Sequence, residues 1–273
     1  VAAAPAVGGE LGHSQSEHVR IELVADVQSI QPGKPFWAAV RFDIEKDWHL
    51  NWLNPGDAGL APSITWKLPD GFEAGELLWP TPRRYQIGPL VIYGYDGELY
   101  LMARIAPPAS LKPGTRAEIS AEVDWLACAE ACVPGRGEVH LTLPVRDSHP
   151  EPAQRWVAAI EKTRLDQPQP SSSWIVHGFI EDEERYELEA RLVGDTGDPI
   201  EGAEFYPYAS DVIEHAAVQQ FVARRQGFDL VLKRARMSLE FPDRLTGVLV
   251  ILPAPRQDRK RVALTIDVPL ERR

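Results

Sequence analysis

The 273-residue chain holds two cysteines, Cys128 and Cys132, in the run Asp124-Trp125-Leu126-Ala127-Cys128-Ala129-Glu130-Ala131-Cys132-Val133-Pro134-Gly135. A thiolate is a potent nucleophile, and a close pair of thiols closes into a disulfide and reopens through a mixed disulfide. Ile119, Ala121, Val123, Trp125 and Ala127 alternate on one side of the pair, and Val139, Leu141, Leu143 and Val145 on the other. This pattern predicts strands over 118–127 and 137–145, joined as a hairpin with the cysteines at its tip. Directly opposed residues of such a pair lie about 4.5–5.5 Å apart at Cα, inside the range of a disulfide. The alternation turns 119–127 inward at odd positions, so Cys128 is expected on the outward face, within reach of another protein. A purely stabilising bridge is the competing reading. A loop this small gives a disulfide only about 2 kcal/mol in the chain-entropy model, and a chain of this length buries a sufficient core without a staple. A zinc site wants four ligands. None of the seven histidines has ligand spacing to the pair, and two methionines are too few for a Met-rich copper site. Neither a metal nor another cofactor is expected.

The elements that must hold the pair are strands. Val19, Ile21 and Leu23 alternate with Arg20 and Glu22, and Phe36, Ala38, Val40, Phe42 and Ile44 repeat the pattern. So do Ile64, Trp66 and Leu68, then Leu99, Leu101, Ala103 and Ile105. Gln31-Pro32-Gly33-Lys34, Pro69-Asp70-Gly71 and Lys112-Pro113-Gly114 supply the turns. Many short strands punctuated in this way predict an antiparallel sandwich. From Asp147 to Ser173 the character changes: Trp156–Lys162 predicts a short helix with Trp156, Ala159 and Ile160 on one face, and Gln167–Ser173 has linker composition. Alternation resumes at Tyr186, Leu188, Ala190 and Leu192, at Phe228, Leu230 and Leu232, and at Val262, Leu264, Ile266 and Val268. The expected organisation is a flexible segment over 1–18, a β domain over 19–146, a helix-containing linker over 147–172 and a second β domain over 173–273. The opening residues, small and polar from Val1 onward, read as the start of a mature chain after a signal peptide or as the edge of a fragment.

Charge and hydropathy exclude some classes. Lys plus Arg number 29 against 40 Asp plus Glu, a formal charge of -11, which argues against a nucleic-acid partner needing a basic face. No apolar run approaches the roughly 20 residues that span a bilayer, so no direct insertion of this chain into a membrane is expected. The carboxylates are plentiful, but their spacing singles out no acid–base pair for a hydrolase. The run Glu181-Asp182-Glu183-Glu184 reads as a solvated turn.

Several ordered motifs carry a family resemblance. They are Trp48-His49-Leu50-Asn51-Trp52-Leu53-Asn54-Pro55-Gly56-Asp57-Ala58-Gly59-Leu60, Trp79-Pro80-Thr81-Pro82-Arg83-Arg84-Tyr85, Tyr93-Gly94-Tyr95-Asp96-Gly97-Glu98, and Asp124–Ala127 followed by Cys128, Cys132, Val133 and Pro134. Over roughly residues 19–146 they resemble the N-terminal periplasmic domain of the DsbD and ScsB thiol:disulfide interchange reductases. The Cys-x-x-x-Cys spacing is closer to the ScsB branch, since ordinary DsbD sequences have a longer gap. The resemblance implies an all-β chain of two immunoglobulin-like β-sandwich domains. It implies periplasmic location and an electron relay through Cys128 and Cys132. A transmembrane reductase domain of the same parent protein would reduce the pair. Thioredoxin-fold periplasmic proteins, ScsC-like or DsbC-like, would receive the electrons. The family is tied to copper tolerance and cytochrome c biogenesis.

By analogy Cys132 is the partner-bonded thiol. The resemblance also implies a loop capping the cysteines. Arg84–Leu90 is the segment at that position, with Tyr85 or Ile87 as apolar cover. His49 and Asn51 align with aromatic residues near the family's site, and His49 reads as a packed, hydrogen-bonded histidine or a proton donor. Trp48, Trp52, Trp66, Trp79 and Trp125 read as core or rim packing. Asp124 and Glu130 would place negative charge near the thiols and raise their pKa. The second domain, without a cysteine, is expected to dock or support.

Overall fold

The computed structural model describes residues 13–170, 172–194, 200–236, 240–253 and 261–273. The fold is all-β, with one short helix among the described residues, and its contacts divide the chain into two compact units. The first comprises residues 1–50, 61–80 and 95–165, and the second 51–60, 81–94 and 166–273.

The strands of the N-terminal half are β1 (His13–Ser16), β2 (Val19–Ala25), β3 (Phe36–Ile44), β4 (His49–Gly56), β5 (Ser63–Lys67), β6 (Glu73–Ala74), β7 (Arg83–Ile87), β8 (Leu90–Tyr95), β9 (Glu98–Ala106), β10 (Arg116–Cys128) and β11 (Cys132–Pro144). The first unit is a sandwich. One sheet runs β1-β2-β3-β9-β6, and the other is built on β10, which pairs β11, β5 and the first residues of β4. The alternating residues meet between the sheets: Ile21, Leu23, Val40, Phe42, Leu101, Ile119, Val123 and Val139 are buried. Burying such apolar side chains contributes about 1.5–3 kcal/mol each, which makes the period-2 register of these strands hard to shift.

The helix α1 (Val157–Leu165) follows β11. Its Ile160 is buried against Val24, Ala39, Tyr100 and Met102, with Trp156 and Ala159 packed alongside. The approach to it is tied down as well: Gln28 N donates to Glu151 O at 2.9 Å, and Ala153 N to Asp26 O at 2.8 Å. Residues 147–165 therefore belong to the first unit instead of forming a free linker, because the apolar face predicted for the helix has a groove to fill. At the N-terminus, residues 13–16 pair with β2, so part of the segment expected to be flexible is a strand; residues 1–12 lie outside the described residues.

The second unit contains β12 (Trp174–Ile180), β13 (Arg185–Leu192), β14 (Ile200–Pro207), β15 (Gln220–Arg224), β16 (Gly227–Lys233), β17 (Arg244–Pro253) and β18 (Val262–Arg272). Their order is β14-β17-β18-β12-β13-β16-β15, antiparallel except where β12 runs parallel to β18. This sheet closes over a core of Tyr186, Leu188, Phe205, Phe228, Leu230, Leu249, Leu264 and Ile266. Glu181–Glu184 forms an exposed turn before β13. Two segments from early in the chain belong to this unit too, most of β4 and the β7–β8 hairpin. Trp52 and Tyr93 from these segments pack edge-on to Tyr206, with ring centroids at 6.2 and 5.0 Å.

Candidate redox site

The ladder of β10 and β11 runs without a break from Arg116 opposite Pro144 to Cys128 opposite Cys132. The turn Ala129-Glu130-Ala131 closes it, with Ala129 N donating to Ala131 O at 3.0 Å. The two Cα atoms are 4.1 Å apart and the sulfurs are bonded. The hairpin expected from the alternation is present, and its register alone brings the cysteines together.

The two sulfurs are not equivalent. Cys132 is exposed, whereas Cys128 is 4% exposed. Cys128 is therefore not on the open face expected for it. Parity along β10 accounts only for burial in the sandwich interior. At its last two residues β10 is flanked on both sides, by β11 and by β4, where Leu50 faces Ala127 and His49 faces Cys128. Lateral neighbours therefore cover a position that the pleat turns away from the main core.

His49 is itself 5% exposed. Burial pushes its pKa below the ordinary imidazole value, and the Asp96 carboxylate pulls in the opposite direction. The ring beside Cys128 is thus neutral near neutral pH. Directly opposed residues in an antiparallel ladder carry their side chains on the same face, with Cβ atoms about 4.5–5.5 Å apart.

Beneath the tip, Trp125 is 4% exposed and stands edge-on to Phe42 at 6.2 Å. Gly135 lies opposite it in the ladder. A Cβ at Gly135 would sit 2.2 Å from Trp125 Cε2, so the indole fills the space that a side chain would need. This is a positioning residue that the motif reading passed over. Its signal was available: a glycine inside a strand marks a close approach.

The remaining expected site residues are placed as follows. Asn51 is fully buried and donates from Nδ2 to Ala58 O at 3.3 Å. Gly59, at φ 105°, approaches so closely that a Cβ there would be 2.3 Å from Asn51 Oδ1. Asn51 is a clamp on the 51–59 loop of the second unit. Tyr85 and Ile87 lie on β7, partly buried, before the Gly88-Pro89 turn. Asp124 is exposed, and its Oδ1 is 3.5 Å from Arg136 Nε. It stands four positions before Cys128 on the strand, about 13 Å away along the backbone, which exceeds the screening length of about 8–10 Å at moderate salt. Asp124 therefore has little hold on the thiols. Glu130 is exposed in the turn between them.

A second constellation could be mistaken for a metal centre. Carboxylate oxygens of Glu187, Glu189 and Asp229 lie within 4.8 Å of one another. Arginines already balance them: Arg191 Nη2 is 2.7 Å from Asp229 Oδ1, Arg224 also pairs with Asp229, and Arg273 Nη1 is 2.6 Å from Glu187 Oε2. Guanidinium pairing occupies the lone pairs that a cation would need.

A sandwich that closes a hairpin on a disulfide, one sulfur sheltered and one open, is the form of a thiol:disulfide interchange domain. Residues 19–144 match the family model described as "Thiol:disulfide interchange protein DsbD, N-terminal". The match covers a little under half of the chain and supports reading this region as a DsbD-type N-terminal domain of immunoglobulin-like fold. Among solved structures, the N-terminal periplasmic domain of ScsB from Proteus mirabilis is similar to this chain, with TM-score 0.67 and 13% identity over 94% of this chain and 97% of that chain. At that identity the likeness shows the fold. A conserved domain protein from Bacillus anthracis (TM-score 0.30, 9% identity, covering 96% of this chain and 89% of that one) and the major pilin subunit BcpA*(D312A) of Bacillus cereus (TM-score 0.29, 10% identity, 93% and 70%) are too dissimilar to carry an argument. A search among curated proteins returned no match. Among the described residues no helix is long and apolar enough to cross a membrane.

Proposed function

We propose that this chain is a periplasmic electron relay. A membrane-embedded reductase domain of the same parent protein reduces the Cys128–Cys132 disulfide. The reduced pair then reduces thioredoxin-fold periplasmic proteins of the ScsC-like or DsbC-like kind. Cys132 forms the mixed disulfide and Cys128 resolves it. The observation that carries this reading is the asymmetry at the hairpin tip: an exposed Cys132 bonded to a buried Cys128. A partner thiol can reach one sulfur, while the other waits behind it as the leaving or resolving thiol. Tyr85 and Ile87 are proposed as the cap that limits access between encounters, and the cysteine-free second unit as a docking or supporting element. The relay belongs to copper-stress or cytochrome c maturation chemistry to the extent that its partners do.

The reduction potential of the pair tests the reading. Equilibration with a dithiol buffer is expected to give a value well above about -300 mV, as a pair opened and closed in use requires. A value below that limit makes the bridge structural and removes the relay.

A further inference from the structure

Resolution of the mixed disulfide needs a thiolate, and the buried Cys128 is badly placed to become one. A thiol in apolar surroundings holds its proton more tightly than a free one. Water reaches it poorly, since only 4% of the residue is exposed. Some group must take the proton inside the site. The strand register supplies one titratable side chain directly opposite Cys128, His49. It is equally buried, at 5%, and it stays neutral, able to accept, over most of the working pH range because burial lowers its pKa. The charge acting on it is the Asp96 carboxylate, and Glu130 is exposed in the turn that follows Cys128.

Resting on the relay reading, we propose that His49 is the base that takes the Cys128 proton when the mixed disulfide is resolved. The Cys132 thiolate attacks one sulfur of the partner disulfide; that S–S bond breaks and the first partner thiolate leaves with the electron pair. Cys128 then gives its proton to His49, and its sulfur attacks Cys132 Sγ. The mixed disulfide breaks and the second partner thiolate leaves. The pair is oxidised by two electrons, the partner disulfide is reduced by two, and His49 passes its proton to the departing thiolate or to water. The arrangement keeps the buried thiol inert until Cys132 is engaged, without exposing it to solvent.

The test uses the full chain, reduced and freed of reductant, mixed with the dithiobis(nitrobenzoate) disulfide in stopped flow. Each S–S bond broken releases one coloured thiolate, so attack by Cys132 gives a first phase and resolution by Cys128 a second. With a general base, the second phase stays level between the His49 pKa and the thiol pKa, and falls only below the ordinary imidazole value of about 6.5. His49→Gln is expected to leave the first phase intact and slow the second at neutral pH by on the order of 10²-fold. It should also turn the level profile into a tenfold fall per pH unit below the thiol pKa, with partial rescue by added imidazole. If the wild-type second phase itself falls tenfold per unit below the thiol pKa, His49 is not the base; this arm holds even should the variant fail to fold. An unchanged second phase in a folded His49→Gln protein overturns the proposal and leaves the relay standing. A wild type that releases both thiolates yet never closes Cys128–Cys132 defeats the relay reading and this inference together.

Discussion

Two regions of the molecule hold buried polar groups, and they use them in opposite ways. At the tip of β10 and β11 the sheltered groups are Cys128 and His49, one bonded through an exchangeable sulfur and the other held neutral by burial. In the second unit, several buried polar groups are closed into pairs. Asp229 lies between Arg191 and Arg224. The Tyr206 hydroxyl donates to Glu204 Oε2 at 2.5 Å, and His215 bridges the Tyr93 hydroxyl at 3.1 Å and Ser210 O at 2.9 Å. Burial and neighbouring carboxylates push both tyrosine pKa values far up, so these hydroxyls keep their protons. A satisfied network of this kind specifies and stiffens a core. The first unit leaves one bond to be broken, whereas the second leaves no charge unmatched in its cluster. That contrast fits the proposed division, with chemistry in one unit and support in the other.

Removing either sulfur should give the largest effect. Cys128→Ser, with Cys132 left free, is expected to trap a thioredoxin-fold partner as a covalent complex released by reductant, visible on a non-reducing gel. Cys132→Ser should trap far less, since its remaining sulfur is the buried one. Turnover should be abolished in both, while stability falls by no more than about 2 kcal/mol. Equal trapping by the two variants would erase the asymmetry on which the comparison stands. Next in size is Gly135→Ala. The new Cβ would overlap the Trp125 ring, and overpacking of this kind costs about 1–3 kcal/mol. Thermal unfolding should show that loss, and slower exchange should accompany it, because Trp125 underlies the tip.

These expectations mark what the sequence made legible. Period-2 alternation located the strands around the cysteines, and turn residues located their ends, because both depend on contacts a few residues apart. The helix face of Trp156, Ala159 and Ile160 was readable for the same reason, but not that it would dock on Val24 and Met102. Parity failed at Cys128 because lateral cover by β4 comes from residues some 80 positions away in sequence, where His49 and Cys128 meet. The Trp48–Leu60 motif is instructive in another way. Its Asn54 Nδ2 donates to Pro207 O at 2.7 Å and Trp52 packs on Tyr206. Part of the motif is thus tied into the second unit, and no local pattern records a partner so distant. Gly135 needed its partner, Trp125, to be known before its lack of a side chain had a meaning.

The second unit gives the next test in order of size. Asp229→Asn leaves two guanidiniums facing a neutral amide at a site 3% exposed. Breaking a buried pair costs about 3–5 kcal/mol, but Arg191 and Arg224 are 35% and 52% exposed, so solvent screening brings the expected loss to about 1–3 kcal/mol. Urea unfolding should register it while thiol exchange by the folded protein keeps its wild-type rate. A fall in that rate would show that the second unit shapes the redox site and would break the division of labour.

The smallest effect is the acid limb of stability, and it divides the two regions once more. His49 and His215 both have folded-state pKa values lowered chiefly by burial. In the unfolded chain each binds a proton near pH 6.5, so between the lowered and the ordinary pKa the unfolded state holds more protons. Stability therefore rises with pH through that window and falls on acidification below about 6.5. Substituting either histidine by a neutral amide should flatten part of this limb in chemical denaturation. His215→Asn should do so with no change in the pH profile of exchange, because its ring serves Tyr93 and Ser210. His49→Gln should alter both the stability limb and the kinetic profile, because the ring that burial holds neutral stands opposite Cys128. If both variants changed stability alone, the tip would be as purely structural as the network of the second unit.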